Sequence, residues 1–253
     1  MSVLKRTEPA VAFQVERLTV DFGTDKTGPL QDFSLNIRQG EITCLLGPSG
    51  CGKTTLLKSL GGFVVGRDSG GVLFESRYLN GPTPEIVMIF QENNLFPWLS
   101  ARGNVEFGLK FKAAKRDGKQ VVDEMLRIVG LTEAADRFPN QLSGGMRQRT
   151  AIARALVSDP HVLLLDEPFS ALDISLRRRM HTLMLDLWSK TGKTMVMVTH
   201  SIEEALQVGH RVIVLGDRPA RVLIDADTSA DAMKDRYSPE FLEMQRRIEA
   251  VIY

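Results

Sequence analysis

The stretch Gly47-Pro48-Ser49-Gly50-Cys51-Gly52-Lys53-Thr54-Thr55 decides how the rest of the chain is read. It fits G-x-x-x-x-G-K-[ST], the phosphate-binding loop pattern. Its setting fits too. Ile42 to Leu46 is apolar and reads as a short buried strand, and Thr54 to Leu60 reads as the start of a helix. The glycines let backbone N–H groups close around phosphate oxygens, and the helix N-terminus adds partial positive charge. In such a loop Lys53 reaches the β- and γ-phosphates and the Thr54 hydroxyl ligates Mg²⁺. Gly47, Pro48, Ser49, Gly50, Cys51, Gly52, Lys53, Thr54 and Thr55 are therefore the expected phosphate-binding residues.

Moving outward, Val162 to Leu165 is a continuous apolar strand that ends in Asp166-Glu167-Pro168. Ligands of open α/β sheets bind at that carboxyl edge. An acid after four apolar residues is the second nucleotide-binding signature, with Asp166 holding Mg²⁺ directly or through water. Glu167 is then placed to orient or deprotonate a water attacking the γ-phosphate. Thr194 to Thr199 is a further buried strand ending at His200, and Val212 to Leu215 is another. Strands alternating with helices predict a parallel sheet covered on both faces.

Phe13 to Asp21 alternates as a strand, followed by a turn-rich Gly23 to Pro29. Phe33, Leu35 and Ile37 alternate with polar residues, as in a half-buried antiparallel strand. Phe22, at the end of the first strand, is an aromatic placed to stack on a purine. Short strands are expected around Val72 to Phe74 and Glu85 to Phe90. Ser100 to Pro160 reads helical, with an amphipathic stripe of Val121, Val122, Met125, Ile128 and Val129 ended by Gly130. A helix opens at Leu142-Ser143-Gly144-Gly145-Met146, and a longer one carries Leu176, Met180, Leu183, Met184, Leu187 and Trp188. Ser238-Pro239 starts a terminal helix. One domain spans 1–253, with 1–91 and 160–253 as core and β subdomain and about 92–159 as a helical subdomain.

Composition sets bounds. The 253 residues carry a formal net charge of +1, which gives no basis for a nucleic-acid surface. No apolar run is long enough to span a membrane, and Met1 to Val15 lacks the apolar core of a secretory signal. Two cysteines, Cys44 and Cys51, suggest a reducing compartment. Cys51 lies in the phosphate loop, where bound ATP would shield it from alkylation; Cys44 should be buried and inert.

With these motifs in order, the chain resembles the ATP-binding subunits of ABC transporters over nearly its whole length. The most specific match is Leu142-Ser143-Gly144-Gly145-Met146-Arg147-Gln148-Arg149, which is similar to the ABC signature. Gln91 resembles the Q-loop glutamine, Ser170-Ala171-Leu172-Asp173 the D-loop, His200 the switch histidine and Phe22 the adenine-stacking aromatic. Met146 stands where glutamine is frequent, and Phe22 where tyrosine is frequent.

The resemblance implies an α/β P-loop NTPase core (RecA-like) with an antiparallel β subdomain and an inserted α-helical signature subdomain. It implies ATP and Mg²⁺ as ligands, with Thr54, Gln91 and Asp166 on the metal and Lys53, Glu167 and His200 in catalysis. Ser143, Gly144 and Gly145 would bind the γ-phosphate of the ATP held by the opposite subunit, closing a head-to-tail dimer. The partners implied are a second copy or a paralogous cassette, integral membrane permease subunits and, indirectly, an extracytoplasmic solute-binding protein. The location implied is peripheral, on the cytoplasmic side of the inner membrane. Phe96, Pro97, Trp98 and Leu99 are the expected permease contacts. Leu95 to Leu99 followed by Asn104-Val105 looks like the nitrate, sulfonate and taurine importers. The competing readings are a soluble ABC ATPase acting on ribosomes or DNA, and a P-loop kinase or nucleotide-binding regulator.

Overall fold

The computed structural model describes residues 10–21, 28–66, 70–92, 94–110, 118–170 and 172–253. The first elements are β1 (Val11–Val20), β2 (Leu30–Arg38), β3 (Ile42–Leu46) and α1 (Lys53–Leu60). Then come β4 (Gly71–Phe74), β5 (Arg77–Tyr78) and β6 (Ile86–Ile89). Three helices follow: α2 (Ala101–Leu109), α3 (Gly118–Ile128) and α4 (Gly144–Val157). The chain continues with β7 (Val162–Asp166), α5 (Ile174–Thr191), β8 (Thr194–Val198) and α6 (Ile202–Val208). It closes with β9 (Arg211–Gly216), β10 (Arg221–Asp227) and α7 (Pro239–Ile252).

The hydrophobic patterns sort these strands into two sheets. Alternation in β1 and β2 buries one face of an antiparallel sheet of order β2-β1-β4-β5. Phe13 pairs with Ile37, Val15 with Leu35 and Leu18 with Phe33 across β1 and β2. The continuous apolar runs β3, β7 and β8 are buried at every residue, as parallel strands covered on both faces must be. They form the middle of a six-stranded sheet of order β10-β9-β3-β8-β7-β6. All its pairings are parallel except β10 with β9.

One face of that sheet packs α1 and the antiparallel sheet through Leu45, Leu56, Leu57, Leu164 and Val196. The other packs α5, α6 and α7 through Leu163, Met180, Met195, Leu206 and Phe241. Helices α2, α3 and α4 share a separate core of Val105, Val122, Leu126, Leu131 and Ala153.

Differences from the sequence reading have local causes. The face of α3 that enters the core is Val122 and Leu126, continuing into Val129, whereas Ile128 is exposed. Val121 and Met125 of the expected stripe pack against the same core, so the stripe holds except that Leu126 takes the place of Ile128. Strands β5 and β10 were not expected: β5 is two exposed residues, and β10 buries only Ile224 and Ala226. Neither shows a periodicity strong enough to read without its partner strand.

Candidate active site

The phosphate loop is shaped by what lies behind it. β3 delivers Gly47 against β9, and a Cβ at Gly47 would stand 2.1 Å from the Leu215 carbonyl oxygen. The backbone there has φ +145°, so steric space and conformation both require glycine. Gly52 caps α1 at φ 111° and brings no side chain to the first turn. The first-turn N–H groups are thereby left for an anion. Lys53 is buried, and its Nζ donates to the carbonyl oxygens of Gly47 and Pro48, both at 2.8 Å. Its partners there are neutral, so its charge is kept for a ligand.

The carboxylates sit where β7 ends. Thr54 Oγ1 lies 3.3 Å from Asp166 Oδ1. Oxygens held about 2.1 Å from an octahedral cation stand about 3 Å apart, so this pair suits Mg²⁺. Among the described residues no cluster of three His, Cys, Asp or Glu side chains fits a metal. That suits an ion that takes its remaining ligands from phosphates and water. Burial lifts the Asp166 carboxyl above its ordinary range; the Thr54 hydroxyl pulls it back, and the neighbouring Glu167 charge adds to the rise.

Glu167 is engaged on both oxygens. His200 Nε2 lies 2.5 Å from Oε1, and Gln91 Nε2 donates to Oε2 at 3.2 Å. The Glu167 backbone is in the left-handed region at φ 48°, a strain of about 1–3 kcal/mol in a non-glycine residue. Four contacts hold it there. Its N–H donates to Val198 O at 3.0 Å, and its carbonyl accepts from Ser170 N at 3.3 Å, Ser170 Oγ at 3.1 Å and Gln148 Nε2 at 3.5 Å.

A cavity of about 350 Å³ collects Ser49, Gly50, Lys53, Thr54, Glu167 and His200. Arg218 and Pro29 also line it, and neither belongs to a motif that would have marked them. Ser143, Gly144 and Gly145 do not line this cavity. They open α4 at a separate, exposed end, where the Ser143 hydroxyl caps the helix by accepting from Met146 N at 3.3 Å. Phe22 lies outside the described residues, as does Ala171 of Ser170-Ala171-Leu172-Asp173.

Burial corrects the expectation for Cys51. It is 3% exposed and packs into the core beside Leu56, with Sγ 4.0 Å from Lys53 Nζ. Its side chain is buried behind the phosphate loop, against Gly47 and Lys53, so slow alkylation is expected with or without ATP. Cys44 is fully buried, as expected, and burial pushes its thiol up to about 12.

A larger apolar groove, about 720 Å³, lies between the sheet edge and the helical block. Phe63, Met88, Phe90, Phe96, Phe107 and Arg154 line it. Asn104, fully buried, holds the loop that brings Phe96 to the groove. It accepts from Phe96 N at 2.8 Å and donates to the carbonyls of Phe96, Leu99 and Ser100 at 3.0–3.2 Å. Trp98 stands 69% exposed at the end of that loop, its ring 5.5 Å from Phe96.

Known proteins agree with this architecture. A family model described as "ABC transporter" matches residues 30–170, more than half of the chain. A taurine import ATP-binding protein from Jannaschia sp. (strain CCS1) is 44% identical, the match covering 88% of this chain and 86% of that protein. An uncharacterized ABC transporter ATP-binding protein from Methanocaldococcus jannaschii is 38% identical, covering 97% and 93%. A solved dimeric ATP-binding cassette in a post-hydrolysis state, bound to ADP and phosphate, superposes with a TM-score of 0.77. It shares 31% identity, over 86% of this chain and 99% of that one. With its loop, carboxylate pair, signature helix and sheet order all in place, the chain belongs to the ABC transporter family, as an ATP-binding subunit whose hydrolysis of ATP is coupled to transport.

Proposed function

We propose that this subunit powers import of a small solute of the taurine, sulfonate or nitrate class through a separate permease. The observation that carries the chemistry is the Glu167 carboxylate, held between Gln91 and His200 beside the phosphate loop. Lys53 and the loop N–H groups bind the β- and γ-phosphates. Thr54, Asp166 and Gln91 would hold Mg²⁺, which would supply positive charge against the phosphate oxygens. Glu167 orients the attacking water and accepts its proton. His200 turns from Glu167 to donate to the γ-phosphate as ATP enters.

The second half of the site comes from another cassette, either an identical chain or a paralogue. Ser143, Gly144 and Gly145 stand at an exposed helix N-terminus away from their own chain's phosphate loop, which suits an anion presented by a partner. Loss of the bridging γ-phosphate then loosens the dimer. The apolar groove beside Phe96 and Trp98 takes a short helix of the permease, so the subunit sits peripherally on the cytoplasmic face of the membrane. A solute-binding protein on the other face supplies the cargo. The likeness to taurine import subunits supports the cargo class.

The test is reconstitution in vesicles with the permease and binding protein encoded nearby. ATP-dependent uptake of labelled taurine, an alkanesulfonate or nitrate is expected, with cargo stimulating hydrolysis. Uptake of none of them, or no association with the permease, overturns the reading.

A further inference from the structure

Behind the switch histidine lies a buried polar chain that no motif marks. Glu204, on α6, is 6% exposed, and His181, on α5, is 8% exposed. A buried carboxylate must be satisfied on both oxygens. Glu204 Oε1 lies 2.8 Å from His181 Nε2, and Oε2 accepts from the Thr199 hydroxyl. An ionised carboxylate only accepts, so His181 Nε2 carries the proton.

The chain closes around His200. Thr199 Oγ1 also accepts from Ser201 N at 3.1 Å, and the Ser201 hydroxyl accepts from Glu204 N at 3.2 Å. Thr199 N donates to Leu45 O of β3 at 3.2 Å. Thr199, before His200, is thus pinned to the Glu204 carboxylate, and Ser201, after it, is held by Thr199 Oγ1 and the Glu204 backbone N–H. His181 also meets the loop of Glu167, because its ring stands edge-on to Phe169 with centroids 5.0 Å apart. α5 itself begins at Asp173, whose carboxylate caps it by accepting from Leu176 N at 2.9 Å. His181 lies about two turns further along.

We propose that His181, Glu204 and Thr199 are positioning residues for hydrolysis. They set the His200 backbone so that its imidazole rests on Glu167 and can turn from it to the γ-phosphate, and they tie that placement to the helix capped by Asp173. A contact made by the loop before α5 is thereby transmitted to the switch histidine. This rests on the reading of His200 given above.

The test is steady-state ATPase of the full chain. His181→Phe keeps a ring against Phe169 and removes the donor to Glu204. It is expected to lower kcat about 10- to 100-fold, as small misplacements of catalytic groups do, with KM for ATP changed less than about twofold. His181→Gln restores a donor near the Nε2 position and should recover most of the loss. In a His200→Ala background, His181→Phe should cost no more than about a further twofold, since both changes remove one function. Wild-type kcat in His181→Phe, or an equal loss with and without His200, overturns the proposal. Unchanged kcat in His200→Ala alone would instead overturn the role of His200.

Discussion

The N-terminus of α1, capped by Gly52, and that of α4, which opens with Gly144-Gly145, are built differently. α1 starts inside the molecule: Gly47 is wedged against β9, Lys53 is buried, and Asp166 and Glu167 stand opposite. α4 starts on the surface, with Ser143 exposed and its hydroxyl spent on capping its own helix. Both offer free N–H groups and a positive helix end. Only the first adds a buried cation and carboxylates. The first is therefore suited to hold a triphosphate within one chain, while the second, in the function proposed, would contribute only when a partner brings the phosphate to it.

Substitutions probe that contrast. Glu167→Gln should lower kcat by about 10²–10⁴-fold while keeping ATP affinity, because it removes the acceptor for the water proton. Size-exclusion chromatography with ATP should show a persistent dimer; a monomer with normal turnover would break the assignment. Lys53→Ala should weaken ATP binding by about 2–5 kcal/mol, measured by calorimetry, because the loop loses its buried charge. Ser143→Asp sharpens the comparison most directly. Aspartate caps a helix as well as serine does, so α4 should stay folded. Its charge should repel the partner's γ-phosphate, abolishing ATP-driven dimerisation and lowering kcat about tenfold or more, with monomer ATP affinity unchanged. Equal loss of monomer binding would place Ser143 at the wrong end.

The smallest effect concerns stability far from both helix ends. His210 Nδ1 accepts from Ile42 N at 3.2 Å, and the ring stacks on Trp188 at 3.9 Å. Burial, helped by the nearby Lys234 charge and opposed by Asp227, pushes its pKa down from 6.5 to about 4. The unfolded chain binds this proton near pH 6.5 and the folded chain only near pH 4. Its contribution is therefore intact above pH 6.5 and is lost as pH falls through 4. Discounted for a partly exposed ring, the loss is about 1–2 kcal/mol. His210→Asn keeps an acceptor without titrating. Urea denaturation should show a shallower acid loss in the variant, whereas parallel curves would remove His210 from the account.

Much of this is legible in the sequence alone. Gly47 to Thr55, Asp166-Glu167 and Ser143 to Gly145 carry their chemistry in short, contiguous spacings, because a phosphate nest and a helix start are local structures. The buried runs β3, β7 and β8 were equally plain, since a strand covered on both faces must be apolar throughout. What lay hidden depends on neighbours distant in sequence. Strand β10 exists through its pairing with β9, and Asn104 gains its role from the carbonyls it gathers.

The amino-acid sequence by itself pointed to nucleoside triphosphate binding, to the loop expected to take its phosphates and to the carboxylates expected to face them. Backbone geometry and residue type decide those locally. Only the tertiary structure decided that Cys51 faces the core, that Glu167 is held between Gln91 and His200, and that His181 reaches Glu204. Each is a contact across elements, set by how the sheet brings β6, β7, β8 and the helices beside them together, and no spacing along the chain encodes it.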